Sequence, residues 1–207
     1  MIADASTPNT PFSARNALGR LFFAIGLLVL GMTHVAPAHS AEATSAQCTV
    51  PKGHFGHYQS ADNETEVPNI PFQLATGSET TLDAYKGRGL VVNFWATWCA
   101  PCVREMPQLD RLSAFVRENG IDVLTISEDR EGLIAAPKFY KAHDLRDLPV
   151  LADPRGKLMR AFKAQGLPLT ILINALGHEV GRVIGPAEWD SPEIVEFVRS
   201  CLSPAKS

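Results

Sequence analysis

Two cysteines three residues apart stand in Trp98-Cys99-Ala100-Pro101-Cys102, between an apolar run and an amphipathic one. Leu90-Val91-Val92-Asn93-Phe94-Trp95 reads as a buried strand, and Pro101 to Asn119 as a helix that stops at Gly120. Cys99 is thereby expected at a strand-to-helix junction, where unpaired backbone N–H groups and the helix dipole favour an anion. A thiolate is such an anion, and it is the nucleophile of disulfide exchange. Cys102, one turn further in, is placed to attack a mixed disulfide on Cys99 and release its partner. The pattern predicts a redox dithiol, with Cys99 the exposed attacking thiol and Cys102 the shielded resolving thiol. A zinc site needs about four ligands, and no second C-x-x-C or histidine pair accompanies this one, since Cys48 and Cys201 stand alone and far away. The expectation is no metal and no cofactor, the Cys99–Cys102 pair itself carrying the electrons.

The elements that must hold this pair follow from periodicity. After Pro101, Met106, Leu109, Leu112 and Val116 recur at helical spacing and should face a sheet, with Pro107 kinking the helix. Thr81 to Lys86 reads as a helical turn, Ile121 to Ile126 as the next strand, and Gly132 to His143 as a second helix. Leu148-Pro149-Val150-Leu151 reads as a short edge strand, because proline removes a ladder donor. Leu169 to Ile173 and Glu179 to Ile184 suggest a hairpin through Asn174-Ala175-Leu176-Gly177. Asp190 or Ser191 should cap the last helix, with Pro192 early in it and Glu193 completing a capping box. Ile194, Phe197, Val198, Cys201 and Leu202 then share one face.

Phe94-Trp95-Ala96-Thr97-Trp98-Cys99-Ala100-Pro101-Cys102, with Arg104-Glu105-Met106-Pro107 after it, closely resembles the active site of the thioredoxin superfamily. It looks most like the exported TlpA-like thiol–disulfide oxidoreductases, relatives of ResA and CcmG. The resemblance runs from about Pro68 to Leu202, through Ser127-Glu128-Asp129-Arg130, Gly166-Leu167-Pro168-Leu169-Thr170 and Gly185-Pro186-Ala187-Glu188-Trp189-Asp190. It implies an α/β, thioredoxin-like fold with the extra strand–helix insertion of the TlpA and peroxiredoxin branches, between about 122 and 160. It implies that Pro168 is a cis-proline facing the dithiol, presenting the backbone of Leu167 for strand-like pairing with a substrate. Trp98 would flank the thiol as an exposed recognition surface, and Trp95 would be core.

Where thioredoxins carry a buried aspartate on the strand before the motif, this chain has Asn93, which cannot accept a proton. Glu105 lies on the same helix face as Cys102, three residues on. In ResA-like relatives the matching glutamate is partly buried and assists proton movement at the cysteines, whereas most helix glutamates are solvated. TlpA-like relatives can tie an N-terminal arm to the last helix by a second disulfide, a pattern that Cys48 and Cys201 fit. Two free thiols are the other arrangement. A thiol peroxidase is the competing enzyme reading. Peroxiredoxins place proline and threonine or serine seven and three residues before their cysteine, and Val92 and Ala96 stand there for Cys99. A Sco-like copper chaperone is the non-enzymatic alternative, but it uses a C-x-x-x-C pair, one residue longer.

The chain of 207 residues allows one domain with a sizeable core, and a net charge of −3 gives no basic footprint for nucleic acid. Residues 1–38 read as a targeting segment: Arg15 and Arg20 precede the apolar stretch Leu21 to Met32, and Ala36-Pro37-Ala38 offers a cleavage site. A cleaved signal peptide and a retained membrane anchor over 21–38 both stay open, and both place the domain in a bacterial periplasm. Residues 39–66 are small and polar and read as a linker or N-terminal arm, and 67–207 as the thioredoxin-like domain. His54 and His57 lack a third ligand and read as surface residues. The expected partners are proteins with disulfides and, upstream, a membrane thiol reductant.

Overall fold

The computed structural model describes residues 49–61 and 65–204. The targeting segment and Cys48 lie outside the described residues. Among the described residues eight strands form one sheet in the order β1-β8-β7-β4-β5-β6-β2-β3. In chain order these are β1 (Phe55–Ser60), β2 (Phe72–Leu74), β3 (Glu79–Thr80), β4 (Gly89–Trp95), β5 (Ile121–Ser127), β6 (Leu151–Ala152), β7 (Leu169–Ile173) and β8 (Glu179–Ala187). The helices are α1 (Ala100–Val116), α2 (Gly132–Ala142), α3 (Lys157–Ala161) and α4 (Pro192–Leu202), with a 3₁₀ turn at Leu82–Tyr85.

Strand β4 is central, parallel to β5 and antiparallel to β7, and all seven of its residues are buried. Its alternate residues feed two apolar clusters, as expected of a strand covered on both faces. Val91 and Trp95 join the cluster that holds Leu109 and Leu112 of α1 and Phe197 of α4. Leu90, Val92 and Phe94 join the cluster that holds Leu82, Leu158 of α3 and Phe162. Helix α1 runs unbroken through Pro107, and Cys102, Glu105, Met106, Leu109, Leu112 and Val116 form its buried stripe. The β7–β8 hairpin turns at Gly177, whose φ of +87° requires glycine, with Gly177 N donating to Asn174 O at 2.9 Å.

Three expectations need correction. The Leu148–Leu151 segment is not an edge strand. Only Leu151 and Ala152 pair, and β6 lies between β5 and β2, because the β2–β3 hairpin adds two further strands outside it. The capping box is absent. Ser191 is the N-cap and accepts from Ile194 N, which puts Glu193 one position too early to reach back, while Asp190 pairs with Arg111. The arm before residue 67 carries strand β1, antiparallel to β8. Phe55 and Tyr58 hold that strand, stacking at 5.5 Å and meeting Phe197 edge-on at 5.6 and 5.9 Å. Its sequence hides the strand because an edge strand is only half covered and Gly56 interrupts the alternation.

Candidate active site

Cys99 follows β4 and is the N-cap of α1. It is joined to Cys102 in a disulfide of 2.01 Å. The backbone N–H of Cys102 donates to Cys99 Sγ at 3.4 Å, so the helix N-terminus is aimed at that sulfur. A charge-assisted bond of this kind favours the thiolate once the pair is reduced. Cys102 has no exposed surface and Cys99 only 6% in this oxidised state, so the outer thiol is less open than the sequence suggests. The asymmetry nevertheless puts Cys99 alone on a cleft of about 690 Å³, shared with Trp98, Pro101, Glu128, Met159 and Leu167. Trp98 is 71% exposed at its mouth, and Trp95 is fully buried.

The loop that presents Cys99 is tied down by Asp129, whose role could not be seen in the sequence. Its carboxylate accepts from Thr97 N at 3.0 Å, from Thr97 Oγ1 at 2.7 Å and from Ser127 Oγ at 2.9 Å. Opposite, the Leu167–Pro168 peptide is cis. Leu167 lines the cleft while Pro168 is buried beneath it, its carbonyl accepting from Gly185 N at 3.0 Å.

Glu105 is buried, at 2% exposure, because it falls on the apolar stripe of α1. One oxygen accepts from Asn93 Nδ2 at 2.9 Å. The other accepts from Trp189 Nε1 at 3.1 Å and Ala187 N at 3.3 Å. Burial pushes the carboxyl from 4.5 up to about 7, against the pull of these three donors. Asn93 also donates to Thr170 Oγ1 at 2.9 Å, and its Oδ1 has no hydrogen-bond partner among the described residues. A depression of about 270 Å³ lined by Pro101, Arg104, Gln108 and Pro186 reaches Glu105, giving water a route to a group otherwise sealed off. The glutamate could be read as a candidate from its spacing, but its partners could not, since Asn93 and Trp189 come from distant segments.

Glu128, also in the cleft, is pushed up to about 8 by burial, then by Asp153 and Asp129, with Arg160 opposing. Its Oε1 has no hydrogen-bond partner among the described residues. No group of three or more metal-ligating side chains occurs among the described residues. His54 is engaged instead with Glu188, Nδ1 to Oε2 at 2.8 Å. Cys201, half-buried on α4, is not a free thiol, whereas Cys48 lies outside the described residues.

Residues 62–196 match the Redoxin family model. The thiol-disulfide oxidoreductase ResA of Bacillus cereus (strain ATCC 10987 / NRS 248) is 30% identical over 151 residues, 73% of this chain and 85% of that protein. ResA of Bacillus subtilis (strain 168) is also 30% identical, over 63% of this chain and 72% of its own. Among solved structures, a thioredoxin-family thiol:disulfide interchange protein from Chlorobium tepidum TLS superposes with a TM-score of 0.55 at 27% identity, covering 65% of this chain and 96% of that one. The exposed lipoprotein thioredoxin of Streptococcus pneumoniae strain TIGR4 gives 0.54 at 26%, covering 64% and 98%. With a dithiol at the head of α1 in a thioredoxin-like fold, this chain belongs to the redoxin family, among the ResA-like thiol–disulfide oxidoreductases of the thioredoxin superfamily.

Proposed function

We propose that the protein is an extracytoplasmic reductase of specific protein disulfides, with the Cys99–Cys102 pair as its only electron carrier. The observation that carries this reading is the asymmetry of the pair, Cys99 on the cleft at the head of α1 and Cys102 sealed behind it. In the reduced enzyme the Cys99 thiolate attacks one sulfur of the substrate disulfide, and the first substrate thiolate leaves. Cys102, deprotonated, then attacks Cys99 Sγ, expelling the second thiolate and leaving the enzyme disulfide. Two electrons pass to the substrate, and its two thiolates take up the proton released from Cys102 and one proton from water. Glu105, with a pKa near neutrality and a path to water, is the group to take up the Cys102 proton. Trp98 and Leu167 form the surface against which the substrate chain lies, with the buried Pro168 fixing the backbone of Leu167 from beneath.

The substrates that fit the resemblance are metal-site cysteines in the assembly of cytochrome oxidase or cytochrome c, and a membrane thiol reductant recharges the enzyme. Residues 1–38 direct it to the periplasm, free or anchored, and a Cys48–Cys201 bond fastens the N-terminal arm to α4. Trapping tests the reading. The Cys102→Ser variant should accumulate mixed disulfides with periplasmic proteins through Cys99, while Cys99→Ser accumulates none. Faster alkylation of Cys102 than of Cys99 in the reduced protein, or equal trapping by both variants, would overturn the assignment.

A further inference from the structure

Of the ten arginines among the described residues five hold a carboxylate, and three of the five that do not line one cleft. Arg88, Arg111, Arg117, Arg146 and Arg182 each hold a carboxylate, those of Asp122, Asp190, Asp147, Asp144 and Glu179. Arg130, Arg155 and Arg160 hold none within ion-pair distance among the described residues, yet all three are exposed and line the cleft in front of Cys99. Arg155 and Arg160 belong to a stretch, residues 154–178, that contains no aspartate or glutamate but adds Lys157 and Lys163. The acid just before it, Asp153, is buried and spent on the backbone N–H groups of Lys157, Leu158 and Met159. Among the described residues lining the cleft Glu128 is the only carboxylate, so three guanidinium groups face one carboxyl, which burial pushes up to about 8. A chain with net charge −3 thus carries an excess of positive groups at the rim where a disulfide must enter.

We propose that this cleft selects polypeptide substrates whose reactive cysteine lies in an acidic segment, with Arg130, Arg155 and Arg160 as the specificity-determining residues. The proposal rests on the disulfide-reduction reading above and names its substrate class. Trp98, Met159 and Leu167 give the cleft an apolar lining suited to side chains beside the substrate cysteine. The arginines around it attract carboxylates over about a Debye length, ~8–10 Å at ordinary salt. Complementary charge of this kind acts first on the encounter rate, so discrimination should appear in kcat/KM and fade with salt.

The test uses two disulfide peptides identical except for aspartates or lysines flanking the cysteine, with uncharged 2-hydroxyethyl disulfide as a third substrate. Wild type should reduce the aspartate peptide about tenfold faster in kcat/KM than the lysine peptide at low ionic strength, and the gap should narrow at high salt. R130Q/R155Q/R160Q should abolish the preference and R130E/R155E/R160E should invert it, the rate on each peptide being taken relative to that of the same variant on 2-hydroxyethyl disulfide, which corrects for any change at Cys99 itself. Should the glutamate variant fail to fold, the glutamine variant and the salt dependence decide. Reduction of all three substrates with no charge preference overturns the proposal and leaves disulfide reduction standing. Failure to reduce even 2-hydroxyethyl disulfide overturns the reduction reading and the proposal with it. Arginine-dependent binding to mixed phosphatidylglycerol–phosphatidylcholine vesicles without peptide discrimination would assign the rim to a membrane surface and equally overturn it.

Discussion

Glu105→Gln separates the electrostatic role of this residue from its packing. The two side chains have nearly the same shape, but glutamine cannot ionise. Three donors face the carboxylate, from Asn93, Trp189 and Ala187. A glutamine keeps one acceptor oxygen, and the unpartnered Asn93 Oδ1 is available to its new N–H₂ if the Asn93 amide turns over. The fold should therefore survive. The pH dependence of stability should not. Glu105 titrates near 7 in the folded protein against 4.5 for an unburied carboxyl, so the native state binds this proton more tightly than the unfolded chain does. Its stabilising contribution is complete below about pH 4.5 and is lost as pH rises through about 7. Between about pH 5 and pH 7.5 the loss amounts to roughly 2 kcal/mol, approaching about 3 kcal/mol at full ionisation. Denaturant unfolding of the oxidised protein across this range should show wild type losing that much relative to Glu105→Gln. The same variant should reduce disulfides more slowly and lose the inflection near pH 7 from its rate profile. Parallel stability curves for the two proteins would refute a near-neutral Glu105 and remove the proton-handling argument built on it.

Asp129→Ala should cost about 2–4 kcal/mol in denaturant unfolding, because it strands the Thr97 N–H, Thr97 hydroxyl and Ser127 hydroxyl that the carboxylate now satisfies; a loss under about 1 kcal/mol would show that water replaces it. Gly89→Ala should destabilise by on the order of 2 kcal/mol, since a Cβ there would run into the Leu202 backbone at the end of α4 and force α4 away from β4; an unchanged unfolding midpoint would mean that α4 yields freely. Non-reducing peptide mapping should recover a Cys48–Cys201 crosslink, which in the chain-entropy model contributes up to about 4–5 kcal/mol; alkylation of Cys48 in the untreated native protein would rule it out.

Much of the frame was legible because it depends on short-range rules. The apolar run into Trp98-Cys99-Ala100-Pro101-Cys102 specified β4 and α1, and the spacing of Met106, Leu109, Leu112 and Val116 specified which face of α1 is buried. The spacing put Glu105 on the face of Cys102, but its burial was implied only by the resemblance, since most helix glutamates are solvated. Strand β1 was not legible, since its residues stay in place through pairing with β8 and through ring contacts with Phe197, a partner more than a hundred residues away. The same holds for β6, whose position inside the sheet depends on β2 arriving from the N-terminal side.

The sequence by itself determined the chemistry and its local seat, two thiols at a strand-to-helix junction, because a helix N-terminus acts on the residue that caps it. Only the tertiary structure decided the environment of that chemistry. Glu105 becomes a near-neutral acid because packing of α1 against β4, β8 and the turn before α4 buries it, an effect that the hydrogen bonds from Asn93, Ala187 and Trp189 only partly offset. Arg130, Arg155 and Arg160 become one positive rim because folding brings the loop after β5 and the α3 segment to the same cleft. Desolvation and charge clustering depend on distances in space, and those distances are set only when the segments pack together.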